Sequence, residues 1–153
     1  MKFLELKIPP VLIFFFTAVL MWSMTLVSNE LGIDKNIRFI IGAVSSLIGG
    51  FIAISGIIGF RKAKTTVNPT KPNKASSLVC SGIYRYTRNP MYTGLLFVLI
   101  AWGCFWDNLL SLLLVLVFPL YMTQFQIKPE ERVLESLFRK DYDHYKEQVR
   151  RWL

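Results

Sequence analysis

The 153-residue chain has one histidine, His144, and two cysteines, Cys80 and Cys104, and it is short of charge over most of its length. With one histidine and no cysteine pair at ligand spacing, a zinc, haem or iron–sulfur site has no donor set. Cys80 falls in a basic loop and Cys104 near the far end of an apolar run, so no disulfide is expected between them. No Asp, Glu, Lys or Arg occurs between Lys7 and Glu30, Arg38 and Arg61, Arg88 and Asp107, or Asp107 and Lys128. A proton-coupled carrier, which uses a carboxylate inside a span, would lack its central residue. No small-residue cleavage site follows Trp22 to Val27, so the first run is expected to stay in the protein rather than be removed as a signal.

Hydrophobic residues make up 53% of the chain, and they fall into those four uncharged runs. A helix rises about 1.5 Å per residue, so about 20 apolar residues cross a hydrocarbon layer of roughly 30 Å. Backbone groups in lipid must bond within their own segment, and continuous Leu, Ile, Phe and Val without turn clusters point to helices. The expected fold is an all-α integral membrane bundle forming a single domain over residues 1–153. Its four transmembrane helices would cover about 8–27, 37–60, 91–106 and 108–127. A cytosolic loop at 61–90 and an amphipathic C-terminal helix at 129–150 complete it.

Charge orients the bundle. From Arg61 to Arg88 there are seven basic residues (Arg61, Lys62, Lys64, Lys71, Lys74, Arg85, Arg88) and no acidic one, which assigns the loop and both termini to the cytoplasmic side. The expected location is a bacterial inner membrane. The net charge of +8 is accounted for by this topology and by anionic lipid headgroups, so no nucleic acid partner is expected.

Spans one and two, joined by the short link from Ser28, are expected to pack as antiparallel neighbours. On span two Gly42, Ser46, Gly49, Ala53 and Gly56 place small residues along one face, where another helix can approach closely. Asp107 and Asn108 alone join spans three and four, a second hairpin. Pro119 removes a backbone donor inside span four and predicts a kink near the polar stretch Tyr121, Thr123, Gln124 and Gln126. That stretch is either a helix end reaching toward headgroups or the lining of a substrate cleft. The 30-residue loop contains Leu78, Val79, Ile83, Tyr84 and Tyr86, too much apolar surface to stay solvated. Leu134, Leu137, Phe138, Tyr142, Tyr145, Val149 and Trp152 recur at helical spacing after Pro129, with Glu130 and Glu131 at the positive end of the helix dipole.

Two blocks carry chemistry. The first is Ser77-Leu-Val-Cys-Ser-Gly-Ile-Tyr-Arg-Tyr-Thr-Arg-Asn-Pro-Met-Tyr-Thr-Gly94, and the second is Glu130-Glu131-Arg-Val-Leu134 continuing through Phe138, Tyr142 and Tyr145. In order and spacing they resemble the isoprenylcysteine carboxyl methyltransferase and phospholipid methyltransferase family of integral membrane methyltransferases, over roughly Thr65 to Val149. The resemblance implies S-adenosyl-L-methionine as cofactor, S-adenosyl-L-homocysteine as product, and a cofactor pocket between the loop and the C-terminal helix. The cofactor contacts it implies fall on Ser76, Ser77, Leu78, Val79, Tyr84, Asn89, Pro90, Met91, Tyr92 and Glu130.

Elementary chemistry agrees with this assignment. A ligand with an adenine, an ammonium and a carboxylate needs an apolar or aromatic cradle, a carboxylate and a set of donors. Tyr84, Tyr92, Leu78 and Val79 can form the cradle. Glu130 or Glu131 can pair with the ammonium, and Asn89 with the amides after Pro90 can hold the carboxylate. Glu131, Tyr92 and Arg88 are the candidate catalytic residues, with Glu131 and Tyr92 as candidate bases for an amine or thiol acceptor. Gln126 and Tyr121 are the candidate substrate contacts.

Three positions depart from the family pattern. Arg88-Asn-Pro-Met-Tyr92 stands where the prenylcysteine enzymes have Arg-His-Pro-x-Tyr, and an Asn cannot become cationic. Gln126 stands where those enzymes carry an Arg facing the substrate carboxylate, which favours a phospholipid amine or a thiol over a prenylcysteine carboxylate. Arg139 stands where a Gly usually follows the Phe, so a break in the terminal helix lacks its customary residue. The expected partners are membrane lipids and a lipophilic methyl acceptor (a lipid, a thiol or a prenylated small molecule). The alternative functions are a small four-helix transporter and a membrane reductase.

Overall fold

In a computed structural model that describes residues 2–64, 73 and 75–153, the chain is helical, with no strand among the described residues. The helices are α1 (Pro10–Met24), α2 (Lys35–Lys62), α3 (Pro90–Trp106), α4 (Leu109–Leu114), α5 (Val117–Tyr121) and α6 (Lys128–Gln148). A wide π-type turn, Met122–Ile127, joins α5 to α6. Lys71 and Lys74 of the basic loop, and most of the stretch from Thr65 to Lys74, lie outside the described residues.

Two helical stretches are long and apolar enough to cross a bilayer: Lys35–Lys62 and the rod Leu109–Gln148 that α4, α5, the π turn and α6 make together. Pro10–Met24 and Pro90–Trp106 are shorter apolar helices. The outward faces of α1, α2 and α4 expose Leu12, Phe16, Phe39, Leu47, Phe51 and Leu113, a surface suited to lipid.

α2 starts where the Asp34 side chain accepts from the backbone N–H groups of Asn36 and Ile37. Its small-residue face closes on α3. A Cβ on Gly49 would lie 2.6 Å from the Gly94 carbonyl oxygen, and one on Gly94 would lie 2.5 Å from that of Gly49. Ser45 Oγ donates to the Phe97 carbonyl at 2.9 Å across the same contact.

Contrary to the expectation that spans one and two are neighbours, α1 packs on α3, α4 and α5, and a groove of about 1190 Å³ separates it from α2. The cause lies in the side chains. Backbone-to-backbone contact is available only on the glycine face, which α3 occupies, whereas α1 carries Ile13 and Met21 into an apolar core with Leu99, Val115 and Phe118. Ser111 Oγ donates to Met21 O, and Trp102 Nε1 donates to Ala18 O at 3.0 Å, so α1 is tied to α4 and α3.

At the end of the bundle where both hairpins turn, Asp107 adopts a left-handed backbone conformation (φ 53°) and accepts from the N–H groups of Gly32 and Ile33 at 3.0 and 3.3 Å. The first described residues and the residues after α6 lie at the other end. Leu6 N donates to Phe125 O at 3.0 Å, and Arg132 pairs with Glu5.

The Leu109–Gln148 stretch is broken where Pro119 predicts. Pro119 cannot donate to Val115 O, and that carbonyl accepts from Phe118 N at 3.2 Å, a tighter three-residue turn. The helical pattern lapses at Val115 and Leu116, and the wider Met122–Ile127 turn follows.

α6 is also broken. Arg139 sits at φ 45°, ψ −119°, a conformation suited to glycine, so the break exists without the usual residue. Arg139→Gly is expected to remove strain worth about 1 kcal/mol and raise the midpoint of thermal unfolding in detergent by about 2–4 °C. An unchanged or lower midpoint would mean that the Arg139 side chain itself holds the break.

Candidate functional site

The site forms where the glycine face of α2 runs out towards the basic loop. A Cβ on Gly56 would lie 3.0 Å from Pro90 Cγ, and one on Gly59 would lie 3.1 Å from the Tyr84 ring, so these glycines admit the start of α3 and the loop. Tyr84, in the short 3-10 helix Gly82–Arg85, is buried. Its ring meets Phe60 edge-on at 5.2 Å, and its carbonyl accepts from Tyr145 Oη at 2.7 Å. Burial pushes the Tyr84 phenol well up, with charges on Tyr145 and Glu130 acting in the same direction. Tyr84 is therefore a neutral wall.

Loop, α3 and α6 enclose a cavity of about 110 Å³. Its lining brings together Ser77, Leu78, Val79, Tyr84, Asn89, Pro90, Met91, Tyr92 and Glu130, nine of the ten residues singled out for the cofactor, along with Arg88 and Glu131. Ser76 lies outside the lining, with its hydroxyl donating to Lys64 O at 3.3 Å. Gln126 is behind the wall, and its side-chain amide donates to Glu130 Oε1 at 2.5 Å. Tyr121, at the end of α5 and packed on Phe125, is not among the lining residues.

Glu130 is the chemical centre of this cavity. Tyr92 Oη donates to its Oε1 at 2.7 Å, and Gln126 donates to the same oxygen. Burial nonetheless pushes the Glu130 carboxyl up to about 7. The two hydrogen bonds pull it down, and the Glu131 charge adds a smaller upward push. A carboxylate so placed is under-compensated, and a cation in the cavity would relieve it.

Glu131 is placed differently. Arg151 binds it with two parallel contacts, Nε to Oε1 at 2.9 Å and Nη2 to Oε2 at 2.6 Å, and Arg88 Nη1 lies 3.1 Å from Oε1. Engaged by two guanidinium groups, Glu131 anchors arginines and does not stand open to a reacting proton. Asn89 is likewise engaged, with its Nδ2 donating to the Arg151 carbonyl at 2.8 Å. Arg88 keeps its Nε buried without a hydrogen-bond partner among the described residues.

Arg151 is a member of the site that the sequence does not announce. The one signal available is that two arginines and a tryptophan follow the helix within five residues. Nothing in the position of Arg151 in the sequence points to Glu131, 20 residues earlier.

The phospholipid methyltransferase family model matches residues 37–141. An uncharacterized protein of Haemophilus influenzae is 49% identical over 63 residues, which are 41% of this chain and 100% of that protein. The protein-S-isoprenylcysteine O-methyltransferase of Schizosaccharomyces pombe is 30% identical over 105 residues, covering 67% of this chain and 43% of the yeast protein. The chain thus aligns with less than half of that enzyme's length. No solved structure matches.

Proposed function

The chain belongs to the phospholipid methyltransferase family of membrane methyltransferases, and from that premise we propose that it transfers a methyl group from S-adenosylmethionine to a lipophilic acceptor at the cytoplasmic face of a bilayer. The observation that carries this reading is the Glu130 carboxylate, held by Tyr92 and Gln126 in a cavity that it shares with the Arg88 guanidinium. One group calls for a cation and the other has a donor to offer an anion. A zwitterionic amino acid moiety fits the pair, and Tyr84, Leu78 and Val79 supply apolar walls for an adenosine.

Bound there, S-adenosylmethionine would supply a methyl group on a sulfonium that departs as the neutral thioether of S-adenosylhomocysteine when the acceptor's lone pair takes the methyl. The residues do the rest by placement. Glu130 would hold the ammonium and Arg88 the carboxylate, since the Asn89 amide is already committed to Arg151 O. Tyr92 keeps the Glu130 carboxylate facing inward, and Pro90 and Met91 wall off water. Alignment and dryness account for much of the acceleration in such a displacement. An amine or thiol acceptor must also lose a proton. With Glu130 engaged by the ammonium and Glu131 gripped by two arginines, Tyr92, whose hydroxyl lies in the cavity wall, is the side chain left to pass that proton on.

The acceptor would enter sideways from lipid, and Gln126, buried behind the wall, would act on it only through Glu130. Four spans with both termini cytoplasmic suit this reading: the basic segment ending α2, the N-terminal residues and the C-terminal tail all lie at the cavity end of the bundle. Isothermal titration of the detergent-purified protein should register binding of both S-adenosylmethionine and S-adenosylhomocysteine. If neither binds, the methyltransferase reading fails.

A further inference from the structure

Five residues beyond α6, Val149–Leu153, fold back onto the site. The Arg150 carbonyl accepts from Arg88 N at 3.0 Å, the Arg151 carbonyl accepts from Asn89 Nδ2 at 2.8 Å, and Trp152 Nε1 donates to Thr123 Oγ1 at 3.1 Å. These contacts fix the tail against the start of α3 and against the π turn that carries Gln126.

We propose that Arg151 is a positioning residue, which by gripping Glu131 from the tail holds Arg88 in the cavity wall with donors to spare for the cofactor's carboxylate. The proposal rests on the reading that the cavity takes S-adenosylmethionine.

A guanidinium and a carboxylate left alone at close quarters adopt the two-pronged fork, which would turn Arg88 wholly onto Glu131. Here Arg151 occupies that fork, with its Nε and Nη2 on separate oxygens. Arg88 meets Glu131 only through Nη1, 3.1 Å from Oε1 and off hydrogen-bond geometry; the Tyr142 phenol takes another of its donors, and its buried Nε and Nη1 have no hydrogen-bond partner among the described residues. Around Glu131 alone the two arginines leave one positive charge over, which Glu130, in the same cavity, offsets only while it is ionised. An anion in the cavity would complete the cluster. Both Arg88 and Glu131 line that cavity, and Arg151 does not.

The test compares two ligands that differ only at the amino acid end. S-adenosylhomocysteine carries the ammonium and carboxylate, whereas 5′-methylthioadenosine has the same adenosine thioether with neither. Titrating the 153-residue chain with each, Arg151→Ala is expected to weaken S-adenosylhomocysteine at least about tenfold and to leave 5′-methylthioadenosine within about twofold. Arg151→Lys, which keeps charge without the fork, should recover part of the loss. Arg150→Ala, an exposed neighbour, should match the native protein for both ligands.

An equal loss of both ligands, or no loss of either, would overturn the proposal, because a tail that merely stabilises the fold cannot discriminate between them. If Arg151→Ala does not survive purification, the Lys variant carries the same comparison. Native protein that binds S-adenosylhomocysteine while its Arg151 variants bind it equally well refutes the positioning role and spares the cofactor reading. Native protein that does not bind S-adenosylhomocysteine refutes the cofactor reading and this proposal with it.

Discussion

Replacing Gly94 by alanine is expected to lower the thermal unfolding midpoint by about 2–8 °C, and replacing it by leucine should prevent recovery of folded protein. A Cβ at this position would lie 2.5 Å from Gly49 O, 2.7 Å from Ala53 Cβ and 2.9 Å from Ala53 N. Two of these atoms are backbone and the third is a methyl with no rotamer to change, so the neighbours cannot step aside one by one. The helices must separate. Overpacking of this kind costs about 1–3 kcal/mol for one carbon and more for a branched side chain, against a gain of up to about 1 kcal/mol from the better helix propensity of alanine. Loss of cofactor affinity should accompany the loss of stability, because Gly56 and Gly59, further along the same face, seat Pro90 and Tyr84. Gly50, next to Gly49, provides the control, because a Cβ added there would meet nothing within 4 Å. Gly50→Ala should be neutral or mildly stabilising. If Gly94→Ala and Gly50→Ala melt alike, the close contact is not what holds α2 to α3.

The small-residue face was legible in advance because glycine spacing along a helix is a local property, and it correctly announced a close partner. Which partner was not legible. Sequence adjacency favoured α1, but the choice depends on which helix presents a matching bare backbone, and α3 does so at Gly94. The break in the Leu109–Gln148 stretch was legible for the same local reason: Pro119 lacks a donor wherever it sits in a helix. The form of the break, a tightened turn followed by a widened one that brings Gln126 onto Glu130, depends on the packing around it.

The candidate site divides along the same line. Glu130, Tyr92 and the first half of the loop motif could be named from two short blocks, and these blocks converge on one cavity. The distinct placements of Glu130 and Glu131 could not be read from their order. Adjacent residues on a helix point about 100° apart, and only the fold decides which of them meets Tyr92 and which meets arginine. Asn89 looked like a donor for a ligand because its immediate neighbours say nothing of a carbonyl 62 residues later that takes up its amide.

Glu130 gives the site a pH signature with opposite signs in two measurements. Its carboxyl is pushed up to about 7 in the folded protein, above the ordinary value of 4.5. Between those limits the folded chain keeps a proton that the unfolded chain releases, so this group's contribution to stability is complete below about 4.5 and is lost as pH rises through about 7. The ligand-free protein should therefore melt at progressively lower temperature over that window. Binding of a ligand ammonium requires the ionised carboxylate, so affinity for S-adenosylhomocysteine should climb by about tenfold per pH unit towards 7 and then level off. Glu130→Gln keeps the shape and removes the charge. It should weaken S-adenosylhomocysteine by about a hundredfold at pH 8, in line with the loss of a buried charge-assisted pair, and flatten both pH profiles. For 5′-methylthioadenosine, which has no ammonium, the native profile should already be flat. His144→Gln, on the exposed face of α6, controls for the single imidazole and should leave both profiles as in the native chain. A native affinity for S-adenosylhomocysteine that stays constant from pH 5 to 8 would remove Glu130 as the ammonium's partner, and so would a Glu130→Gln protein that binds it undiminished.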